Sequence, residues 1–545
     1  MLTTERPRVA RPWPEPGRAR PHAWLPRLLL AALLLLAAAV RLRMLMAVPS
    51  FTDETDEVLR GLAIARGHLL PLVNDDAYIG ALFNYLIAAL FLVTGPSPVS
   101  PRLVALAAGL ATIVLTERLG RELAGRWAGL LAAALLATAG LHIVVNSRVA
   151  WSHSITPLFT TAALLALLVA LRRGSGPLLV VTGLLCGLAV QTHPSAVALL
   201  PAVGLAYLLH PQGRAWLHRP WPYLATLAAT AACLNLLLYN LVLNPGQALR
   251  EADWYDYAYQ PKRSVGEFLA ALPQYGVDLV RAHGSVYGTR RTLTVYLTNP
   301  AFMVTAALLA GGLLLALWRR QWLLPLTYLS ASVLLPLFGR QFGFLPNDLA
   351  RYLAYLLPAG FVLMADLVVT LAAAATRAVA RLAPAGWQRP ARLGIVALAT
   401  AAGLALAWFP LSGTLAFEDA FPRRRETELT VAVAGAAIAA RTGPIYIDES
   451  LNRQLLFGGG HLQHSFVYLL ELRDIPYRNL RVPSANAPAE LAGLLTPGTV
   501  VILSEQHTRA LAPLRLEPLF VVTGEMRNAS RGYGAYRVAR LRTED

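Results

Sequence analysis

Cysteine and lysine are nearly absent from this chain. Its 545 residues include two cysteines, Cys186 and Cys233, and both lie within apolar runs. Cysteines in such runs are poor candidates for disulfides, zinc ligands or exposed nucleophiles. Lys262 is the single lysine, and the sequence has neither a Gly-rich phosphate loop nor zinc-type Cys/His spacing. These absences exclude cysteine chemistry and the common nucleotide-binding motifs.

Charged residues are also few, at 14% of the chain against 56% apolar residues. This composition is typical of a polytopic membrane protein. The formal net charge of +17 would suggest a nucleic-acid partner if the protein were soluble. Here the arginines crowd the short links between apolar segments, where the positive-inside rule places them. We therefore interpret the charge as a determinant of topology, and we expect the lipid bilayer rather than nucleic acid as the partner.

The sequence divides into three predicted parts. Residues 1–24 are basic and proline-rich, and we expect a disordered cytoplasmic head. Residues 25–411 hold the apolar runs, of which the first is interpreted as an uncleaved signal anchor because no small-residue cleavage site follows it. Residues 412–545 are less apolar and are predicted to form a small α/β domain. Its predicted elements are a helix at 426–440 and strands at 445–448, 500–503 and 519–523.

Apolar runs long enough to cross a bilayer, roughly 17 to 25 residues, recur throughout residues 25–411. Arginines fall in every second link between them, for example Arg172 with Arg173 and Arg319 with Arg320, and these links are predicted to be cytoplasmic. The run 79–94 would break this alternation if it crossed, so we predict a juxtamembrane helix in the first outer loop. The expected fold is mainly α, a polytopic helical bundle of about eleven spans with an extracytoplasmic α/β domain. The runs after the first lie near 103–117, 127–146, 154–171, 177–192, 194–209, 221–243, 299–317, 323–339, 352–371 and 393–411.

An acidic cluster, Asp53-Glu54-Thr55-Asp56-Glu57, follows the first apolar run and is predicted to lie outside. One interpretation is a helix start, with Thr52 as the N-cap and acids in the first turn favoured by the helix dipole. The other is a set of carboxylates at the mouth of an outward-facing cavity, where one of them accepts a proton from a bound hydroxyl.

The second outer link, residues 146–154, is polar between two spans. Arg148 and His153 are candidate site residues there, because polar side chains at membrane depth are usually functional. The alternative is a capped helix end with a snorkelling Arg148 and an interfacial Trp151. His193, before Pro194 in another outer link, is more often an ordinary end-of-helix residue than a ligand.

A protein that uses a lipid-linked substrate must bind its phosphate near the interface with Arg or Lys. Basic residues on the predicted outer side are therefore candidates, although ordinary solvated loop charge explains most of them. Arg351, with Tyr352 beside it, is the best candidate because it opens a span. The candidates are Lys262, Arg263, Arg290, Arg291, Arg340 and Arg351.

In order and spacing, these features resemble the C-type glycosyltransferases that use polyprenyl-phosphate sugars. The resemblance is greatest to bacterial relatives of protein O-mannosyltransferases and of the aminoarabinose transferase that acts on lipid A. In these proteins an arginine late in the first span, an Asp-Glu pair and an arginine opening the next span are followed by Ser-Arg and, much later, by Arg-Tyr-Leu. The matching residues here are Arg41, Asp53-Glu54, Arg102, Ser147-Arg148 and Arg351-Tyr352-Leu353.

Three positions depart from the family pattern. His153 stands where a second acid is usual, His193 follows Thr192 where Thr-Lys is often found, and Glu57 replaces a common aromatic residue. The first departure puts in doubt any role that needs a second carboxylate, such as metal binding.

The resemblance implies a reaction and its residues. Asp53 would be the general base that deprotonates an acceptor, which then attacks the anomeric carbon with inversion. Glu54 and His153 would orient or assist, and the arginines would stabilise the phosphate leaving group. No metal cofactor is required, although some relatives use one.

Two other functions stay open. A transporter or flippase of lipid-linked glycans would be expected to show pseudo-symmetric halves and broken or ionisable helix positions near the midplane, and the sequence shows neither. A glycan polymerase or ligase of another superfamily would carry its acids and arginines in a late outer loop, and residues 244–298 are long enough for one.

Overall fold

The computed structural model describes residues 24–46, 50, 52–254, 264–286, 296–338, 351–419, 424–453, 462–482, 491, 494–511, 514–522 and 532–539. The predicted head, apart from Trp24, lies outside the described residues. The two cysteines are free thiols.

Helices dominate the first part of the chain. In chain order they are α1 (Leu25–Arg43), α2 (Thr52–Ala65), α3 (Leu82–Thr94), α4 (Ser100–Ala124), α5 (Arg126–Thr138), α6 (Gly140–Arg148), α7 (Thr156–Arg173), α8 (Gly176–Thr192), α9 (Leu199–Leu209), α10 (Pro211–Ala215), α11 (Trp221–Ala232), α12 (Leu234–Leu237), α13 (Gln247–Trp254), α14 (Val265–Gly284), α15 (Pro300–Trp318), α16 (Leu323–Phe338), α17 (Leu357–Leu382) and α18 (Ala385–Asp419). Short 3₁₀ segments at Ser152–Ile155, Pro194–Ala198 and Arg351–Leu356 and a π segment at Leu238–Leu243 join them.

Within the described residues, each predicted apolar run is largely helical. Among the described residues, six helices are long and apolar enough to cross a membrane, and two bent pairs raise the number to eight. A total near eleven is reached only if the shorter apolar segments Gly176–Thr192, Pro194–Leu209 and Leu323–Phe338 also cross. The predicted span count is therefore not confirmed. The juxtamembrane run forms the 13-residue helix α3, which is shorter than a typical crossing.

The predicted run 127–146 is not one straight helix. It breaks at Ala139, whose backbone is extended, and α5 and α6 meet at a bend of 68°. The Gly140 N–H at the break donates to Ser285 Oγ at 2.8 Å. The hydrogen-bond acceptor for this N–H is thus supplied by a residue far along the chain. All residues of α6 are buried. The bend therefore directs the polar end of α6, up to Arg148, into the protein interior.

The segment from α2 to α3, which the sequence predicts to be the first outer loop, is fixed by close packing of α2 on α3. A Cβ on Gly61 would lie 2.7 Å from Ile87 Cγ2, so glycine is required for this approach. Asn84 Nδ2 donates to the Glu57 carbonyl oxygen at 2.9 Å across the same contact. Together these contacts fix the orientation of the acidic helix α2.

The tail forms an α/β domain. Its elements are α19 (Arg424–Ala440), β1 (Ile445–Asp448), α20 (Leu462–Glu471), β2 (Tyr477–Leu480), β3 (Val500–Ser504), α21 (Glu505–Ala510), β4 (Leu516–Val522) and β5 (Tyr533–Val538). The strand order in the sheet is β2-β1-β3-β5-β4. Strands β1, β2 and β3 are parallel, whereas β5 runs antiparallel to β3 and β4. The three predicted strands overlap β1, β3 and β4, while β2 and β5 were not predicted.

This domain packs directly on the first outer loop. Val58 and Leu62 of α2 belong to one buried apolar cluster with Phe466 and Leu469 of α20. Ser465 Oγ donates to the Ser50 carbonyl oxygen at 3.1 Å. The tail and the acidic cluster therefore lie on the same side of the bundle.

Candidate functional site

Asp53 lies in the first turn of α2, which begins at Thr52. Its side chain is 48% exposed, so the carboxylate is also accessible. Arg351 Nη1 donates to Asp53 Oδ2 at 3.3 Å. The structure thus joins two residues that are 298 positions apart in the sequence.

Two aromatic rings and a hydroxyl hold the Arg351 guanidinium. It lies 4.6 Å from the ring centroid of Trp151 and 4.8 Å from that of Tyr352. Arg351 Nη2 also donates to the Tyr352 hydroxyl at 2.8 Å. Cation–π contacts and the hydrogen bond together orient the guanidinium towards Asp53.

Two histidines lie beside this arginine. The ring centroids of His153 and His193 are 4.3 Å apart, and the His193 ring stacks on Tyr352 at 5.1 Å. His193 Nδ1 accepts the Ser195 N–H at 3.1 Å. His153 is 4% exposed, and neither of its ring nitrogens has a hydrogen-bond partner within the described part of the chain. Three predicted site residues therefore form one aromatic cluster next to Arg351.

Glu54 faces away from this cluster. Its carboxylate is fully buried and accepts two hydrogen bonds from Arg102, from Nε to Oε1 and from Nη2 to Oε2, both at 2.6 Å. The Ala150 N–H donates to the same carboxylate at 3.3 Å. This geometry supports a structural function for Glu54, because both of its oxygens are bound by the protein.

Glu57 joins the first outer loop to the second. Ser152 donates to its carboxylate twice, from the backbone N–H at 2.7 Å and from Oγ at 3.0 Å. Burial raises the pKa of Glu57 to about 8, against the hydrogen bonds from Ser152, which lower it. Sequence reasoning did not name Glu57 as a site residue, although its place one helical turn after Asp53 was a usable signal.

Asp56 completes the acidic face of α2. Burial raises the pKa of Asp56 to about 7, and the nearby carboxylates of Asp75 and Asp53 add to the effect. Arg60 opposes it and forms an ion pair with Asp75. The helix α2 therefore carries two carboxyl groups whose pKa values burial raises well above their usual range.

Comparison with known proteins bears on the fold. Residues 80–239 match the model of the dolichyl-phosphate-mannose-protein mannosyltransferase family. The structure is similar to that of ArnT from Cupriavidus metallidurans bound to undecaprenyl phosphate, with a TM-score of 0.55 and 17% identity over 94% of this chain and 98% of that one. The chain has the C-type glycosyltransferase fold. No curated protein sequence matches it.

A second solved structure with this C-type fold is an oligosaccharyltransferase from Archaeoglobus fulgidus in complex with zinc and sulfate. It aligns with a TM-score of 0.50 and 13% identity over 93% of this chain and 73% of that one. The resemblance inferred from the motifs is thus confirmed at the level of the fold.

Two arginines named by the resemblance are buried inside this C-type fold. Arg41 donates from Nε to Ser147 Oγ at 3.0 Å and from Nη1 to the Ala137 carbonyl oxygen at 2.9 Å. Arg148 donates to the carbonyl oxygens of Val40 at 2.6 Å and of Arg41 at 3.2 Å. These contacts tie α1 to the second outer link. The geometry supports a structural function for Arg148, and its predicted contact with phosphate stays a prediction.

Several predicted phosphate-binding residues lie outside the described residues. They are Lys262, Arg263, Arg290, Arg291 and Arg340.

The described residues do not fit a metal ion at Asp53. The neighbour of its carboxylate is the guanidinium of Arg351, and the adjacent acid, Glu54, is bound by Arg102. Over the described ranges, no three His, Cys, Asp or Glu side chains form a group that could hold a metal.

Proposed function

We propose that this chain is a membrane glycosyltransferase that moves a sugar from a polyprenyl-phosphate carrier to an extracytoplasmic acceptor. The observation that carries the proposal is the accessible Asp53 carboxylate beside the fixed guanidinium of Arg351. An accessible carboxylate is a candidate proton acceptor, and a fixed cation next to it can bind a phosphate. The C-type fold supports this assignment.

The proposed reaction is a single displacement. Asp53 takes the proton of an acceptor hydroxyl or amine while the acceptor atom bonds to the anomeric carbon. The bond from that carbon to the phosphate oxygen breaks, and the polyprenyl phosphate leaves with the electron pair. Attack opposite the leaving group inverts the anomeric configuration. A phosphate is a good leaving group, so the reaction needs no general acid.

Arg351 would stabilise the charge that develops on the departing phosphate. A guanidinium carries five N–H donors in one plane, so it can bind phosphate oxygens while retaining Asp53. Its contacts with Trp151 and Tyr352 fix that plane before the donor arrives. Such preorganised positive charge is often the largest electrostatic contribution to catalysis. Tyr352 and His193 would line the same site, and Lys262, Arg263 and Arg340 are further proposed phosphate contacts.

A polyprenyl-phosphate donor is supported by the solved structure of ArnT, which holds undecaprenyl phosphate. We propose a location in the cell membrane, with the N-terminus in the cytoplasm and the tail domain outside. The shared core of the tail and α2 supports placing the tail on the side of the acidic cluster. The acceptor is proposed to be a protein, a lipid or an envelope glycan on that side.

Replacement of the proposed base tests the function directly. Asp53→Asn should abolish sugar transfer from a polyprenyl-phosphate donor by the purified protein, because an amide does not accept the proton. The matched control is Asp474→Asn, which makes the same change at a carboxylate that is 89% exposed on the tail domain. Undiminished transfer by Asp53→Asn, with normal membrane insertion, would rule out Asp53 as the base.

A further inference from the structure

His153 is a buried polar side chain that lacks the partners such groups normally have. Buried side-chain nitrogens in proteins are nearly always hydrogen-bonded. Both ring nitrogens of His153 are without a partner in the described part of the chain, although its side chain is only 4% exposed. Leaving such groups unsatisfied is unfavourable, and a ligand that pairs them would remove that cost.

The position of the ring indicates which ligand it would meet. His153 contacts the same two rings as the Arg351 guanidinium, with centroid distances of 5.9 Å to Trp151 and 5.8 Å to Tyr352. The neighbouring His193 already uses its Nδ1 to accept the Ser195 N–H. Of the two imidazoles, His153 is therefore the one with both ring nitrogens available to a ligand bound beside Arg351.

The backbone of His153 is held in place independently of any ligand. Ser152, the preceding residue, is bound to the Glu57 carboxylate through both its N–H and its Oγ. Because α2 carries Glu57 one turn after Asp53, the same helix sets the positions of the proposed base and of the loop that presents His153.

We propose that His153 binds the phosphosugar part of the donor, with one ring nitrogen donating to a phosphate oxygen and the other accepting a hydroxyl of the sugar. A neutral imidazole has one N–H donor and one acceptor lone pair. A phosphate offers only acceptors, whereas a sugar hydroxyl can donate, so a phosphate-linked sugar satisfies both nitrogens at once. This inference rests on the proposed function and assigns a donor-recognition residue within it.

The experiment measures binding of undecaprenyl phosphate, which has no sugar, to the purified full-length protein. His153→Phe should weaken binding about tenfold, the effect of losing one hydrogen bond to a charged group. His153→Asn should recover most of the affinity, because its amide keeps a donor. His210→Phe is the matched control. His210 follows the C-terminal end of α9, whereas His193 lies before its N-terminal end, and the Nδ1 of His210 accepts the Gln212 N–H.

The outcomes separate the two proposals. If the wild-type protein does not bind undecaprenyl phosphate, the proposed donor is wrong. If it binds and His153→Phe binds equally well, the assignment of His153 is wrong while the donor stands. A melting temperature for each variant identifies unfolded protein. If the phenylalanine side chain does not fit at position 153, His153→Leu provides the same comparison. With the glycosylated donor, His153→Asn should raise KM more than it lowers kcat.

Discussion

Glu54 and Arg102 form a bidentate ion pair whose two side chains are both 0% exposed. The pair joins the first turn of α2 to the first turn of α4, and Glu54 also accepts the Ala150 N–H from the second outer link. Arg102 in turn donates to the Leu45 carbonyl oxygen at 2.9 Å, just beyond α1. One buried pair therefore holds the segments that surround Asp53.

Breaking this pair should destabilise the fold. Glu54→Gln or Arg102→Met leaves one buried charge without its partner, and we expect a loss of about 3 to 5 kcal/mol in the free energy of unfolding. The double variant should lose less than the sum of the two, since both charges are then absent. Denaturation in detergent checks this, with Asp474→Asn as the control. A stable Glu54→Gln protein without transfer activity would instead support the predicted catalytic role of Glu54.

Arg351 should affect turnover more than stability. Arg351→Ala is expected to reduce kcat/KM by about 100- to 1000-fold, the typical effect of removing one group that stabilises developing negative charge. Arg351→Lys should be intermediate, because it keeps the charge but cannot stack on Trp151 and Tyr352. The control is Arg473→Ala, at an exposed arginine that donates to the Leu469 carbonyl oxygen. A near-normal rate for Arg351→Ala would contradict the proposed role.

Stability should depend on pH through Glu57. Burial disfavours the charged form and raises the pKa of Glu57 from its ordinary value of 4.5 to about 8 in the folded protein. Between these values the folded state holds a proton that the unfolded state has lost, so stability falls as pH rises through this window. Glu57→Gln does not ionise and should flatten the dependence, gaining a few degrees in melting temperature relative to wild type between pH 5 and pH 8. The prediction would be contradicted if the melting temperatures of the two proteins changed with pH by the same amount.

Reporter fusions should locate the outer loops. A phosphatase that is active only outside the cytoplasm should be active when fused after Gly95 or at the C-terminus, and inactive after Gly174. Gly95 ends α3 and Gly174 ends α7, and the topology predicted from the arginine distribution places them on opposite sides of the membrane. If the reporter were active after Gly174 and inactive after Gly95, the predicted orientation in the membrane would be wrong.

Apolar run length predicted most of the helical part, because burial in lipid or protein requires such runs. Run length did not predict the break at Ala139, because the acceptor for the Gly140 N–H at that break is Ser285, in a distant segment. In the tail, β1 and β3 are fully buried, and their apolar sequences predicted them as strands. The strand β5 was missed, in part because Gly534 weakens its pattern. That glycine is required, since a Cβ there would lie 2.8 Å from the Phe520 carbonyl oxygen.

The site was predicted unevenly for a similar reason. Asp53 was proposed as a site residue because its neighbours in sequence are acidic and follow a membrane-length apolar run. Local sequence could not distinguish it from Glu54, whose function depends on Arg102, 48 residues away. The pairing of Glu57 with Ser152, 95 residues apart, was invisible for the same reason. Helical or strand periodicity specifies one element at a time, whereas these pairings arise only when separate elements pack.

The 298-residue separation of Asp53 and Arg351 also bears on biosynthesis. During translation the carboxylate emerges early, but its cationic counterpart is not made until more than half of the polypeptide has been inserted. On the proposed mechanism, nascent chains and prematurely terminated products that stop before Arg351 would be inert towards the lipid carrier. Sugar transfer would begin only once the late helices have assembled against the early ones, so the protein would become active only after this assembly.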